Sequence, residues 1–292
     1  MRGIERIKAN DWKKGKNMYR VEKEILGEIK NGDSTAQGNS ISQMGKIFCE
    51  AVDGILREMF DFQKVKGKLI YQLVNFDRNQ EMLRELPYKE VCGDLTAVFM
   101  IVLGQGEHGR VTTKVTNRHM ELWGTDIDAL WQLAEENTPK LCPVKWMRLQ
   151  DMLKEITEGI PDFGNLLGSC HDEVMGIPGK ERRNPSDLMY VLTNTVNVRG
   201  AASILYPGVL KEMAEEMGGD FIIFPSSIHE TILAKIDGFF DWEEAETIVR
   251  EINRKEVAPE DILSDMVYYY SQEKDCIMLA RETGGGVCSI LW

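Results

Sequence analysis

No long hydrophobic run interrupts this sequence: the longest is Ala97–Leu103, against the roughly 18 to 20 residues that cross a bilayer as a helix. No membrane contact is therefore expected. A secretory leader is missing too, because MRGIERIKANDWKKGK carries charge without a following apolar core or small-residue cleavage site. The expected location is the cytoplasm. The cysteines (Cys49, Cys92, Cys142, Cys170, Cys276, Cys288) lie at least twelve positions apart, so neither a zinc knuckle nor a C-x-x-C redox motif is spelled out. Reduced, inert thiols are the expectation.

Histidine is also scarce. None of His108, His119, His171 and His229 has a second histidine at i+3 or i+4, which removes the helical metal pair. His171, with Cys170, Asp172 and Glu173, clusters only in a loop. Gly104–Gly109 satisfies G-x-G-x-x-G, but a dinucleotide site needs a helix next, and Arg110–Thr116 is β-patterned. These glycines read as a hairpin turn with positive φ angles. Gly284–Gly286 lacks the Lys-Ser/Thr of a phosphate loop. No cofactor and no metal are expected.

What remains is an ordinary folding composition, 43% hydrophobic and 28% charged over 292 residues. The net charge of −12 is uneven: the first 30 residues carry nine Lys/Arg against five Asp/Glu, leaving −16 for the other 262. An acidic body repels phosphate backbones, which argues against nucleic-acid binding except through the basic N-terminal segment.

The pattern predicts an α+β fold of strand-helix-strand-strand-helix units behind N-terminal amphipathic helices. Met18, Val21, Ile25 and Ile29, then Met44, Ile47, Phe48, Val52 and Ile55, recur at helical spacing. Leu69–Asn75 is a strand. Asp77 is expected to cap a short helix through Leu86, and Asp94–Leu103 and Arg110–Thr116 to form a hairpin. Thr125 is expected to cap a helix bearing Ile127, Leu130, Trp131 and Ala134, with Trp123 as a staple and Pro139 ending it. Pro143 is expected to open another helix carrying Trp146, Met152, Leu153 and Ile156. Gly159–Ser186, with five glycines and three prolines, reads as a linker. It separates residues 1–158, the helices and a first α/β half, from a second half at 187–281 and a tail at 282–292. In that second half, Leu188–Asn194, Phe221–Phe224, Thr231–Ile236, Met266–Tyr270 and Ile277–Ala280 are expected strands. Asp241 is expected to cap a helix lined by Trp242, Ala245, Ile248, Val249 and Ile252. LIYQLVN and LMYVLTN agree in four of seven positions, consistent with a degenerate tandem repeat.

The best polar constellation is Pro225–Glu230 (PSSIHE), where Ser226, Ser227, His229 and Glu230 fall between two strands, with Arg199 nearby in order. A serine nucleophile needs an elbow and an oxyanion hole, and neither is legible. The plain alternative is a turn closed by a serine, with His229 bonded locally.

YVLTN, GAASILYPGVLKEMAEEMGGDFIIFPSSIHE, REIN, VAPEDILSD and VYYY, with KVKGKLIYQLVN, VTNRHMELWG and LAEENTPKLCP before them, closely resemble a bacterial family of unknown function found in gut anaerobes and often on mobile elements. The resemblance runs from Trp12 to Tyr270. It implies a bacterial cytoplasmic protein and carries no activity or catalytic residues with it. Family members usually have more sequence ahead of WKKGKNMYRVEKEIL, and the tail RETGGGVCSILW departs from their pattern. A shortened N-terminus would leave a sheet edge bare and favour self-association. Two readings follow: a non-enzymatic protein-binding or regulatory module of a mobile element, or a hydrolase or transferase centred on Ser226, Ser227, His229 and Glu230 with help from Arg199.

Overall fold

In a computed structural model of the chain, the described residues are 58–106, 109–157, 189–225, 227–236 and 241–279. The amphipathic segments before residue 58, the Gly159–Ser186 stretch with its Cys170–Glu173 cluster, and the tail fall outside them. The fold is α+β.

Two antiparallel sheets carry it. The first joins β1 (Leu69–Asn75), β2 (Tyr88–Cys92), β3 (Leu95–Gly106) and β4 (Gly109–Lys114). Here β1 pairs with Leu95–Ile101 of β3, while β2 pairs with Leu95–Val98 and β4 with Met100–Gly106. At Met100 and Ile101 both β1 and β4 are partners, so β2 and β4 lie end to end along the side of β3 away from β1. The second sheet has the order β10-β9-β7-β8-β6-β5, built from β5 (Val144–Arg148), β6 (Met189–Asn194), β7 (Phe221–Phe224), β8 (Thr231–Lys235), β9 (Tyr268–Ser271) and β10 (Cys276–Leu279).

One hydrophobic cluster unites both sheets. Leu69, Tyr71 and Leu73 of β1 and Ala97, Phe99 and Ile101 of β3 meet Leu192, Phe221 and Ile223 of the second sheet. The 3-10 turn Gly200–Leu205, buried at all six residues, and the helix that follows it at Val209–Met217 join the same cluster. Tyr71 stacks on Trp131 with ring centroids 5.1 Å apart and meets Tyr206 edge-on at 6.3 Å. Such pairs add to the area they bury. A buried polar clasp also bridges the two sheets: Asn75 donates to Asp94 Oδ2 (2.7 Å) and to the Leu263 carbonyl (2.9 Å), and the Tyr268 hydroxyl donates to Asp94 Oδ1.

The described helices are α1 (Phe62–Val65), α2 (Gln80–Leu83), α3 (Asn117–Trp123), α4 (Ile127–Leu141), α5 (Leu149–Thr157), α6 (Val209–Met217) and α7 (Trp242–Glu256). Several differ from the sequence expectation for identifiable reasons. Asp77 lies in a 3-10 turn and does not cap α2; Asn75 organises that turn instead, accepting from the Arg78 N–H at 2.9 Å. Asp126, not Thr125, caps α4 by accepting from the Ala129 N–H at 2.8 Å. Pro139 lies inside that helix rather than ending it, since a proline in the last turn removes one donor and the Cys142 N–H still reaches the Thr138 carbonyl at 2.7 Å. Trp123 belongs to α3, which opens on a Thr116–His119 capping box, and it donates to the Met59 carbonyl.

Residues 144–148 are a strand rather than helix, because pairing with β6 places Trp146 against Tyr190 and Arg148 over the Tyr190 ring. The expected stripe on α7 is also rotated. Its buried face is Ala245, Glu246, Val249 and Asn253, while Ile248 and Ile252 are exposed. Asn253 fixes that rotation by donating to the Ser264 carbonyl and to Asp265 Oδ1, both at 2.8 Å. Gly104 sits within β3 and lacks a positive φ, although a strand does follow the glycine cluster as expected.

Candidate functional site

PSSIHE connects β7 to β8, and Ser227 ties its described residues together. Ser226 lies outside the described residues. Ser227 is buried; its hydroxyl donates to Glu230 Oε1 (3.0 Å) and accepts from the His229 N–H (3.0 Å), and its own N–H reaches the Glu230 carbonyl. This is a local turn closed by a serine and a carboxylate. The Ile228 N–H donates to the Asp261 carbonyl at 2.9 Å, and the Ile228 carbonyl accepts from Ala201.

Both nitrogens of His229 are engaged. Nδ1 accepts from the Arg199 backbone N–H at 3.2 Å, and Nε2 faces Asp261 Oδ1 at 3.4 Å. With Nδ1 an acceptor, the proton of the neutral ring belongs on Nε2. The His229 carbonyl accepts from the Thr193 hydroxyl at 2.9 Å. The structure thus brings Ser227, His229 and Glu230 together with the Arg199 backbone and with Asp261, which sequence order did not connect to them. It does not aim the Ser227 hydroxyl at the imidazole.

The segment that grips His229 is unusual in its backbone. Asn197 and Arg199 adopt positive φ angles of 56° and 53°, a region costly for residues with a Cβ. Asn194 holds this loop, accepting from the Val196 N–H and donating to the Val198 carbonyl, both at 3.0 Å. Gly200 follows because nothing larger fits: a Cβ there would stand 2.1 Å from Thr193 Oγ1 and 2.5 Å from the His229 carbonyl oxygen. Burial, and then the like charge of Arg199, pushes the Lys114 ammonium below its usual range.

Elsewhere, an open groove of about 860 Å3 runs beside β2, between α2 and the starts of α3 and α4. Phe76, Leu83, Leu86, Tyr88 and Ile127 supply its apolar lining, and Arg84, Lys89 and Glu90 its charges. Lys89 lies 4.5 Å over the Trp131 ring. Sequence reading missed this region because β2 is short and only its flanks, Pro87 and Gly93, mark it; Gly93, at φ 55°, makes the turn into β3.

Among the described residues, no group of three or more His, Cys, Asp or Glu is placed to hold a metal, and no helix is long and apolar enough to cross a membrane. Cys92 and Cys142 are buried and form no disulfide, whereas Cys276 is disulfide-bonded, which departs from the expectation of reduced cysteines.

No curated protein and no solved structure matches the chain. A family does: the one described as a family of unknown function (DUF5688) matches residues 22–272, and the chain belongs to it.

Proposed function

We infer that the chain is a non-enzymatic binding module that engages other proteins, acting in the bacterial cytoplasm in the biology of a mobile element. One observation carries the non-enzymatic part. Among the described residues of the PSSIHE turn the reactive atoms are bonded within the chain, His229 Nδ1 by a backbone N–H and the Ser227 hydroxyl by Glu230. A histidine base must reach the proton it abstracts, and here the serine proton points to Glu230 within the same local turn instead of to the imidazole. Supporting the binding part, large apolar side chains stand exposed on separate elements: Leu122 on α3, Ile127 on α4, and Ile248 with Ile252 on α7. Ile248 and Ile252, one turn apart on α7, make a contiguous apolar patch, and such patches mark contact surfaces. A cytoplasmic setting requires Cys276 to be reduced there.

The test is a photo-cross-linking residue placed singly at Leu122, Ile127, Ile248 and Ile252 in the producing cell, paired with fluorophosphonate labelling of the native protein. The expected result is a discrete protein adduct at one or more positions and no labelling. No adduct at any position, with label on Ser227, would reverse the reading in favour of a hydrolase.

A further inference from the structure

We propose that the open edge of β2 receives an extended peptide as an added strand, its residues alternating between apolar or basic and acidic. The proposal rests on the binding-module reading and gives it a site and a partner chemistry.

Ladder geometry says which backbone groups are available. The Val115 N–H donates to the Phe99 carbonyl, so Phe99 points its backbone toward the β2/β4 side of β3. Backbone direction alternates along a strand, so Ala97 points the same way and pairs through hydrogen bonds with its partner Lys89. Tyr88 and Glu90 therefore turn their N–H and C=O groups outward. The far side of the sheet is consistent: Tyr71, opposite Phe99, points its N–H away from β3, where Thr138 of α4 accepts it at 3.1 Å. That edge is covered. Along β2, among the described residues, β3 is the sole strand partner, and nothing bonds the outward groups of Tyr88 and Glu90. Unpaired edge groups recruit a strand.

The groove beside this edge defines the side chains such a strand would carry. A residue opposite Tyr88 lies on the face of Phe76, Leu83 and Leu86, an apolar cluster with Val74 and Val98. A residue opposite Lys89 lies on the other face, beside an ammonium that makes no ion pair among the described residues and rests on Trp131. One opposite Glu90 meets a carboxylate. In antiparallel sense the fitting order is basic, acidic, apolar. Across β2 the charges alternate by face, Lys89 on the Trp131 side and Glu90 with Arg84 on the groove side. A second copy of the chain fits less well. The register that uses both outward residues of each copy places Lys89 directly opposite Lys89, and like charges so placed repel.

The probe is the fluorescein-labelled, terminally blocked peptide Thr-Lys-Glu-Ile-Thr, titrated into the full chain and read by fluorescence anisotropy. Hydrogen bonds to β2 involve its Lys and Ile amides, while the Glu amide faces away. N-methylation at Ile should therefore weaken binding by about fivefold or more, and N-methylation at Glu should leave it within about twofold. Lys89→Glu should weaken the parent peptide several-fold and improve binding of Thr-Lys-Lys-Ile-Thr. Absence of saturable binding, equal effects of the two N-methylations, or indifference to Lys89→Glu would overturn the proposal. So would a concentration-dependent dimer in sedimentation that is lost in Glu90→Pro, which would assign the edge to a second copy. If peptide binding fails while cross-links persist at Leu122 or Ile248, the β2 site falls and the binding-module reading stands.

Discussion

Substituting Gly200 by alanine should destabilise the protein more than its size suggests. The added methyl would meet Thr193 Oγ1 at 2.1 Å, the His229 carbonyl oxygen at 2.5 Å and the Asn194 nitrogen at 2.7 Å. Two of those three atoms are backbone, so no side-chain rotation relieves the clash. Either the 3-10 turn lifts away from β6 or the PSSIHE turn shifts, and the second breaks the Thr193 hydroxyl bond to His229. Overpacking a close-packed site costs about 1 to 3 kcal/mol, and a lost hydrogen bond adds about 1 kcal/mol. The expected total is therefore about 2 to 4 kcal/mol. With a urea dependence of about 3 kcal/mol per molar, the upper part of the small-protein range, the unfolding midpoint should fall by roughly 1 M. Gly67 supplies the control, since a Cβ there meets nothing within 4 Å; its alanine variant should stay within about 0.5 kcal/mol of the parent. Equal midpoints for the Gly200 variant and the parent would refute the claim that this close approach locks the loop onto the turn.

Tyr268→Phe should cost about 1.5 to 3 kcal/mol, because it leaves the buried Asp94 carboxyl without one of its donors. Burial and Asp94 hold the Tyr268 pKa well above 10.0, so the hydroxyl stays a donor. A double-mutant cycle with Asn75→Ala in chemical denaturation should show coupling, since both side chains bond the same carboxyl. His119 should make stability pH-dependent: burial lowers its pKa below 6.5, and its Nδ1 accepts the Thr116 N–H. A depressed folded pKa contributes stability above the unfolded value and loses it as pH falls through the folded one. Denaturation midpoints should therefore drop as pH falls below about 6.5, and His119→Gln should flatten that slope.

Much of the fold is legible in the sequence, and the reasons differ by element. β1 coincides with LIYQLVN because seven consecutive buried residues leave no solvent face to confuse the pattern. Asp241 declares its helix through an N-cap bonded to Glu243 and Glu244. Residues 144–148 were illegible because Pro143 before an apolar run is also a helix-start signal, and only the partner strand β6 decides between the two. Ile248 and Ile252 fit the helical stripe, yet long-range bonds from Asn253 turn them to solvent. Within PSSIHE the polar residues are legible in the sequence, but their partners are not. Asp261 and the Arg199 N–H arrive from distant segments, and it is these that fix the imidazole.

The tautomer of His229 tests the central claim most directly, because the claim is that the PSSIHE turn holds structure rather than performing chemistry. Nitrogen NMR on histidine-labelled protein above neutral pH should show Nδ1 as the unprotonated acceptor and Nε2 carrying the proton, unchanged in Ser227→Ala. A proton on Nδ1, or an Nε2 signal that shifts when the Ser227 hydroxyl is removed, would contradict it by showing an imidazole free to serve the serine.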